Sequence, residues 1–131
     1  RNMSIDETIR TDLPWHLRAN WAPVLDERTD FDLRVDGTIP AELSGTYVRT
    51  GPNPASGRSD HWFFGDGMVH GVRIAGGKAE WYRNRFVQTP NITVPSGDEM
   101  SNMGDLTRGT GNTSVHQHNG KLLCLEEGHW P

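Results

Sequence analysis

The chain has 131 residues and a mass of 14.7 kDa, with a formal charge of −4, 34% hydrophobic residues and a mean hydropathy of −0.67. That length allows one domain, but the apolar content is lean for a β fold of this size, and 13 scattered Lys and Arg residues exclude a general nucleic-acid binder. No apolar run is long enough to span a membrane or to serve as a signal peptide, and a single cysteine, Cys124, excludes an internal disulfide framework and fits a reducing compartment.

In chain order, residues 1–43 show little periodicity. Pro14, Pro23 and Pro40 interrupt short apolar groups that include Trp15, Leu17, Trp21, Val24 and Leu25. This reads as an extended N-terminal arm docked on another surface, with a helical turn near Ile39–Leu43. From residue 44 the pattern turns to strands. Gly45–Arg49 predicts one and His61–Phe64 a second, with Gly65-Asp66-Gly67 as a tight connection supplying positive-φ positions. Met68–Ile74 alternates, Ala75-Gly76-Gly77 turns the chain, and Lys78–Val87 predicts the longest strand. Four consecutive strands with tight turns make a β-meander, the unit of a propeller blade or a barrel wall. Pro90 to Gly111 reads as loop.

The last predicted element is a hairpin. Asn119-Gly120 lies between two strand patterns, and a two-residue turn there sets His118 opposite Lys121, His116 opposite Leu123, Ser114 opposite Leu125 and Asn112 opposite Glu127. Glu127 then ends an apolar stripe with Leu123 and Leu125, where a carboxylate needs a partner.

Several residues could carry chemistry. His116 and His118 are two apart on a strand, so both rings point to one side and could chelate a metal; equally, they are polar residues solvated near a hairpin tip, and no third ligand is supplied nearby. His61 and His70 flank the Gly65-Asp66-Gly67 turn and read as structural. Asp60, Asp66 and Asp98 form no paired-carboxylate motif, and the glycine pair lacks the helix that a phosphate cradle requires. Cys124 faces away from Leu123 and Leu125 with no basic neighbour and reads as an inert thiol. Arg73, Arg83 and Arg85 read as salt-bridge partners on a strand face.

Taken together, Gly45-Thr-Tyr-Val-Arg-Thr-Gly-Pro-Asn-Pro54, His61-Trp-Phe-Phe-Gly-Asp-Gly-Met-Val-His70, Trp81–Val87 with Thr89, Asn112-Thr113 and His118–Gly128 resemble the carotenoid cleavage oxygenase family. Leu17–Val24 is similar to that family's entry segment. Two departures are local: Thr50 stands where many relatives have Asn, and Phe64 where Asp is common.

The resemblance implies an all-β fold, a partial β-propeller. The family has seven blades, and this chain would hold about one blade, a following hairpin and the arm, so that 1–43 is the arm and 44–131 the first part of an incomplete propeller domain. It implies Fe(II) held by four histidines, O2 as co-substrate, and oxidative cleavage of a carbon–carbon double bond in a carotenoid or apocarotenoid. None of His16, His61, His70, His116, His118 or His129 matches a ligand position, so the iron ligands are expected to lie outside this chain, which reads as an excerpt. Glu127 matches a glutamate whose carboxylate supports an iron-binding histidine, and Phe63 an aromatic position near the substrate tunnel. Glu126 stands where stilbene-cleaving relatives carry Lys, against a phenolic stilbene. The expected protein is cytoplasmic, soluble or peripherally membrane-bound. Rival readings are a non-catalytic propeller segment or degenerate member, a stilbenoid-cleaving relative, and a small metal-binding β protein using His116 and His118.

Overall fold

Short runs of alternating side chains give six strands among the described residues, 12–93 and 104–130 of a computed structural model. They are β1 (Thr29–Phe31), β2 (Gly45–Pro52), β3 (Gly67–Ala75), β4 (Lys78–Phe86), β5 (Ser114–His118) and β6 (Lys121–Leu125). An antiparallel sheet has the order β1-β4-β3-β2, and β5 and β6 form a separate hairpin. Gly76 and Gly77 take φ of 55° and 76° in the β3–β4 turn, while Asn119 and Gly120 take 46° and 75° in the second hairpin, the conformation in which Asn-Gly is favoured.

The sheet has four strands, as a meander predicts, but one differs from the expected set. His61–Phe64 is a turn: Phe64 N donates to His61 O at 3.0 Å, and Phe63 N donates to the His61 ring at 3.1 Å. These local hydrogen bonds replace a strand ladder. The fourth strand comes instead from the arm, where Thr29, Asp30 and Phe31 pair with Arg83, Tyr82 and Trp81. The expected helical turn near Ile39–Leu43 is a single hydrogen-bonded turn, Leu43 N to Pro40 O at 3.1 Å. Within the segment read as loop, Pro90–Thr93 winds one helical turn.

Gly65 and Gly67 also differ from expectation, since neither takes a positive φ. Their need is for space. A Cβ on Gly67 would lie 2.6 Å from the carbonyl oxygens of both Thr110 and Gly111, and one on Gly65 would lie 3.0 Å from Pro54. Gly67 N donates to Thr110 O at 3.0 Å, and Val87 N donates to Gly67 O at 2.8 Å. Here the 110–113 segment reaches the sheet.

Buried apolar side chains are few: Met68 is fully buried and Leu17 nearly so, alongside Asn53, Asn84 and Asn112. The asparagines explain how a polar arm docks. Asn84 Oδ1 accepts from Arg28 N at 2.7 Å, while its Nδ2 donates to Asp26 O at 2.8 Å. Asn53 serves Val24 in the same way. The rings of Trp15, Trp21 and Trp62 meet with centroids 5.1–5.7 Å apart, holding the 15–21 stretch of the arm against the 61–64 turn. On the opposite sheet face Arg73 lies 3.8 Å from Glu80, Arg85 lies 3.9 Å from Glu27, and Arg83 donates to Thr29 Oγ1 at 3.1 Å.

Candidate functional site

Three segments converge beside the β2 end of the sheet. The 61–64 turn brings an aromatic run, 110–113 crosses behind Gly67, and 126–129 leaves β6. Between them lies a cleft of about 590 Å³, lined mainly by apolar surface and including both Phe63 and Glu127. The two residues singled out in the sequence therefore share one cavity.

Phe63 is 63% exposed toward this open space. Its ring is fixed from one side, with the His61 ring centroid at 5.2 Å edge-on and Trp62 at 5.3 Å. Its backbone is held by Asn112, whose Nδ2 donates to Phe63 O at 3.0 Å and to Gly65 O at 2.8 Å.

The hairpin register runs as expected from His118–Lys121 to Ser114–Leu125, and then the ladder stops. Thr113 N still donates to Leu125 O at 3.0 Å. Beyond it Asn112 turns toward the Phe63 loop, so Glu127 meets the hydroxyl of Thr113, which lies 3.3 Å from its Oε2. The carboxylate is exposed on the cleft wall. Glu126 is differently engaged: its Oε1 pairs with His129 Nδ1 and accepts from Gly128 N at 3.2 Å. That Glu126–His129 contact is the feature of the cleft that spacing did not reveal. A Glu and a His three residues apart beyond a strand end gave no signal until the chain was seen to fold back.

The other histidines are dispersed. His16 contacts Ser59 O at 3.1 Å, and His70 Nδ1 contacts Tyr82 OH at 2.7 Å. Burial, aided by the Arg49 guanidinium opposite, holds the His70 imidazole below its ordinary range. His116 and His118 are exposed on β5. Among the described residues no three His, Cys, Asp or Glu side chains are grouped to hold a metal ion; Asp98 lies outside those residues. The described residues thus offer the cleft an aromatic wall and carboxylates. Cys124 is half-buried, and burial pushes its thiol up. Among the described residues no helix is long and apolar enough to cross a membrane.

Residues 21–131 match the protein family described as retinal pigment epithelial membrane protein, RPE65. The chain belongs to the carotenoid cleavage oxygenase family. A carotenoid cleavage oxygenase of Mycobacterium tuberculosis is 44% identical over 119 residues, covering 86% of this chain and 24% of that protein. The carotenoid 9,10(9',10')-cleavage dioxygenase 1 of Pisum sativum is 38% identical over 151 residues, covering 91% and 28%. The crystal structure of Pseudomonas brassicacearum lignostilbene dioxygenase superposes with a TM-score of 0.64 at 33% identity, covering 82% of this chain and 25% of that one. The chain therefore spans about a quarter of the length of the curated relatives it matches. Within this carotenoid oxygenase family the antiparallel sheets are part of a β-propeller, of which these strands supply one four-stranded sheet and a hairpin.

Proposed function

We propose that the protein carrying this chain is a nonhaem Fe(II) oxygenase that uses O2 to cleave a carbon–carbon double bond of a carotenoid or apocarotenoid. The observation that carries this reading is the cleft itself: Phe63 and Glu127, the two residues that the family resemblance singles out, line one largely apolar cavity. An elongated polyene needs apolar walls and few polar contacts, and Trp62, Phe63 and Phe64 supply them. Iron would be held by histidines of the remaining protein. Glu127 then accepts a hydrogen bond from one of them, fixing its tautomer and orientation.

The arm, 1–43, and the propeller portion, 44–131, belong to the same proposal. β1 within the arm completes the edge of the blade. A cytoplasmic protein with this substrate must meet a lipid phase, and we assign it a peripheral membrane contact. The half-exposed indoles of Trp15 and Trp21 support this.

A stilbenoid substrate is the second reading, favoured by the likeness to a lignostilbene dioxygenase. Against it, Glu126 faces this cleft paired with His129, so a carboxylate stands where a phenolate would call for a cation. The test is turnover by the complete iron-loaded protein on an apocarotenal and on a hydroxystilbene, with products resolved by mass. Two carbonyl products from the apocarotenal are expected. Cleavage of the stilbene alone would favour the second reading, and cleavage of neither would favour a non-catalytic member.

A further inference from the structure

Phe63 and Glu127 stand on separate segments, and one hydrogen-bonded path joins them. Asn112 lies at its centre, 6% exposed. Its carboxamide is used on both sides: Nδ2 donates to Phe63 O and Gly65 O at 3.0 and 2.8 Å, and Oδ1 accepts from Thr113 Oγ1 at 3.1 Å. The same hydroxyl lies 3.3 Å from Glu127 Oε2. A hydroxyl has one proton and a carboxylate oxygen only accepts. The Thr113 hydroxyl therefore donates to either Asn112 Oδ1 or Glu127 Oε2 and bridges the buried carboxamide to the carboxylate.

We propose that Asn112 and Thr113 are positioning residues that set the Glu127 carboxylate relative to the aromatic wall carrying Phe63. Asn112 anchors the loop backbone, and the Thr113 hydroxyl orients the carboxylate. This rests on the roles proposed above for Glu127 and Phe63. The competing account is that Asn112 only satisfies two backbone carbonyls, in which case the Thr113 hydroxyl does not govern Glu127. Thr113 is exposed and its hydroxyl meets only Asn112 and Glu127 among the described residues, so removing that hydroxyl separates the two accounts, and the thermal midpoint reads the cost of leaving Asn112 Oδ1 unpaired.

The experiment compares Thr113→Val, Thr113→Ser, Glu127→Gln and the Thr113→Val/Glu127→Gln double variant in the complete protein, using kcat, KM and thermal midpoint. Losing a hydrogen bond to a charged group is expected to lower kcat of Thr113→Val about tenfold with KM nearly constant. Thr113→Ser is expected to restore it, and the double variant to be no worse than Glu127→Gln alone. Wild-type kcat in Thr113→Val beside an impaired Glu127→Gln overturns this proposal alone, as do losses that simply multiply in the double variant. A fully active Glu127→Gln would instead overturn the role of Glu127, and this proposal with it. Should Thr113→Val not accumulate folded, Thr113→Ala makes the same comparison.

Discussion

Asn53 satisfies both backbone groups of Val24: its Oδ1 accepts from Val24 N and its Nδ2 donates to Val24 O, each at 2.8 Å. A carboxamide presents the same donor–acceptor pair as a peptide group, so one buried side chain acts as a one-residue strand partner for the arm. Asn84 does the same for the segment from Asp26 to Arg28. These two contacts hold an arm whose own sequence lacks strand periodicity.

Replacing Asn53 by Leu keeps the branched side-chain shape, at a larger volume, and leaves the Val24 groups unpaired. In the complete protein this is expected to cost about 2 kcal/mol or more in urea unfolding, with faster proteolysis before residue 28. A stability change well under 1 kcal/mol, on the order of an ordinary surface substitution, would show that the arm is held by its tryptophans instead.

Gly67→Ala places a methyl group 2.6 Å from two carbonyl oxygens. Backbone must move to admit it, and a cost of about 1–3 kcal/mol is expected. Gly120→Ala meets nothing within 4 Å but must keep a φ of 75°, so it is expected to cost about 1 kcal/mol from conformation alone. Equal melting shifts for the two would refute the close approach of 110–111 to β3.

His70 is held below the ordinary imidazole range by burial and by Arg49. Its folded form binds the proton more weakly than the unfolded chain does. The unfolded state therefore takes up more protons as pH falls through the ordinary His value, and His70 destabilises the fold on acidification. His70→Gln, which retains an acceptor for Tyr82 OH, is expected to lose less stability than wild type between pH 7 and pH 5, read as the difference in thermal midpoint. An unchanged difference would remove His70 as the cause.

The half-buried thiol of Cys124, pushed up by desolvation, is expected to alkylate at pH 8 more slowly than a free cysteine, because less thiolate is present. Mass spectrometry over a time course reads this directly. Reaction as fast as the free amino acid would contradict its burial beside Gly111.

Much of the fold was legible where local chemistry dictates it. Asn119-Gly120 specifies its own turn, and that turn alone fixed the register from His118–Lys121 to Ser114–Leu125. Alternation in Met68–Ile74 marked β3 in the same way. His61–Phe64 misled because aromatic content imitates a strand, whereas its stability comes from ring contacts with the arm and from local hydrogen bonds. β1 was invisible, since its partner β4 is far along the chain and three residues carry no period. At the site, Phe63 and Glu127 were legible through the family resemblance. Asn112 was not assigned a role, because its partners, Phe63 O and Gly65 O, are backbone atoms brought close only by the fold.

The central claim is that Glu127 supports the reacting centre from the wall of the Phe63 cleft. It is tested most directly by turnover of an apocarotenal by the complete protein with Glu127 or with Gln at this position. The carboxylate is exposed on this chain and holds no structural ion pair among the described residues, so Glu127→Gln is expected to fold normally. A loss of about 10–100-fold in activity or metal affinity, at an unchanged thermal midpoint, is the expected result. Wild-type turnover and metal content in Glu127→Gln would contradict it.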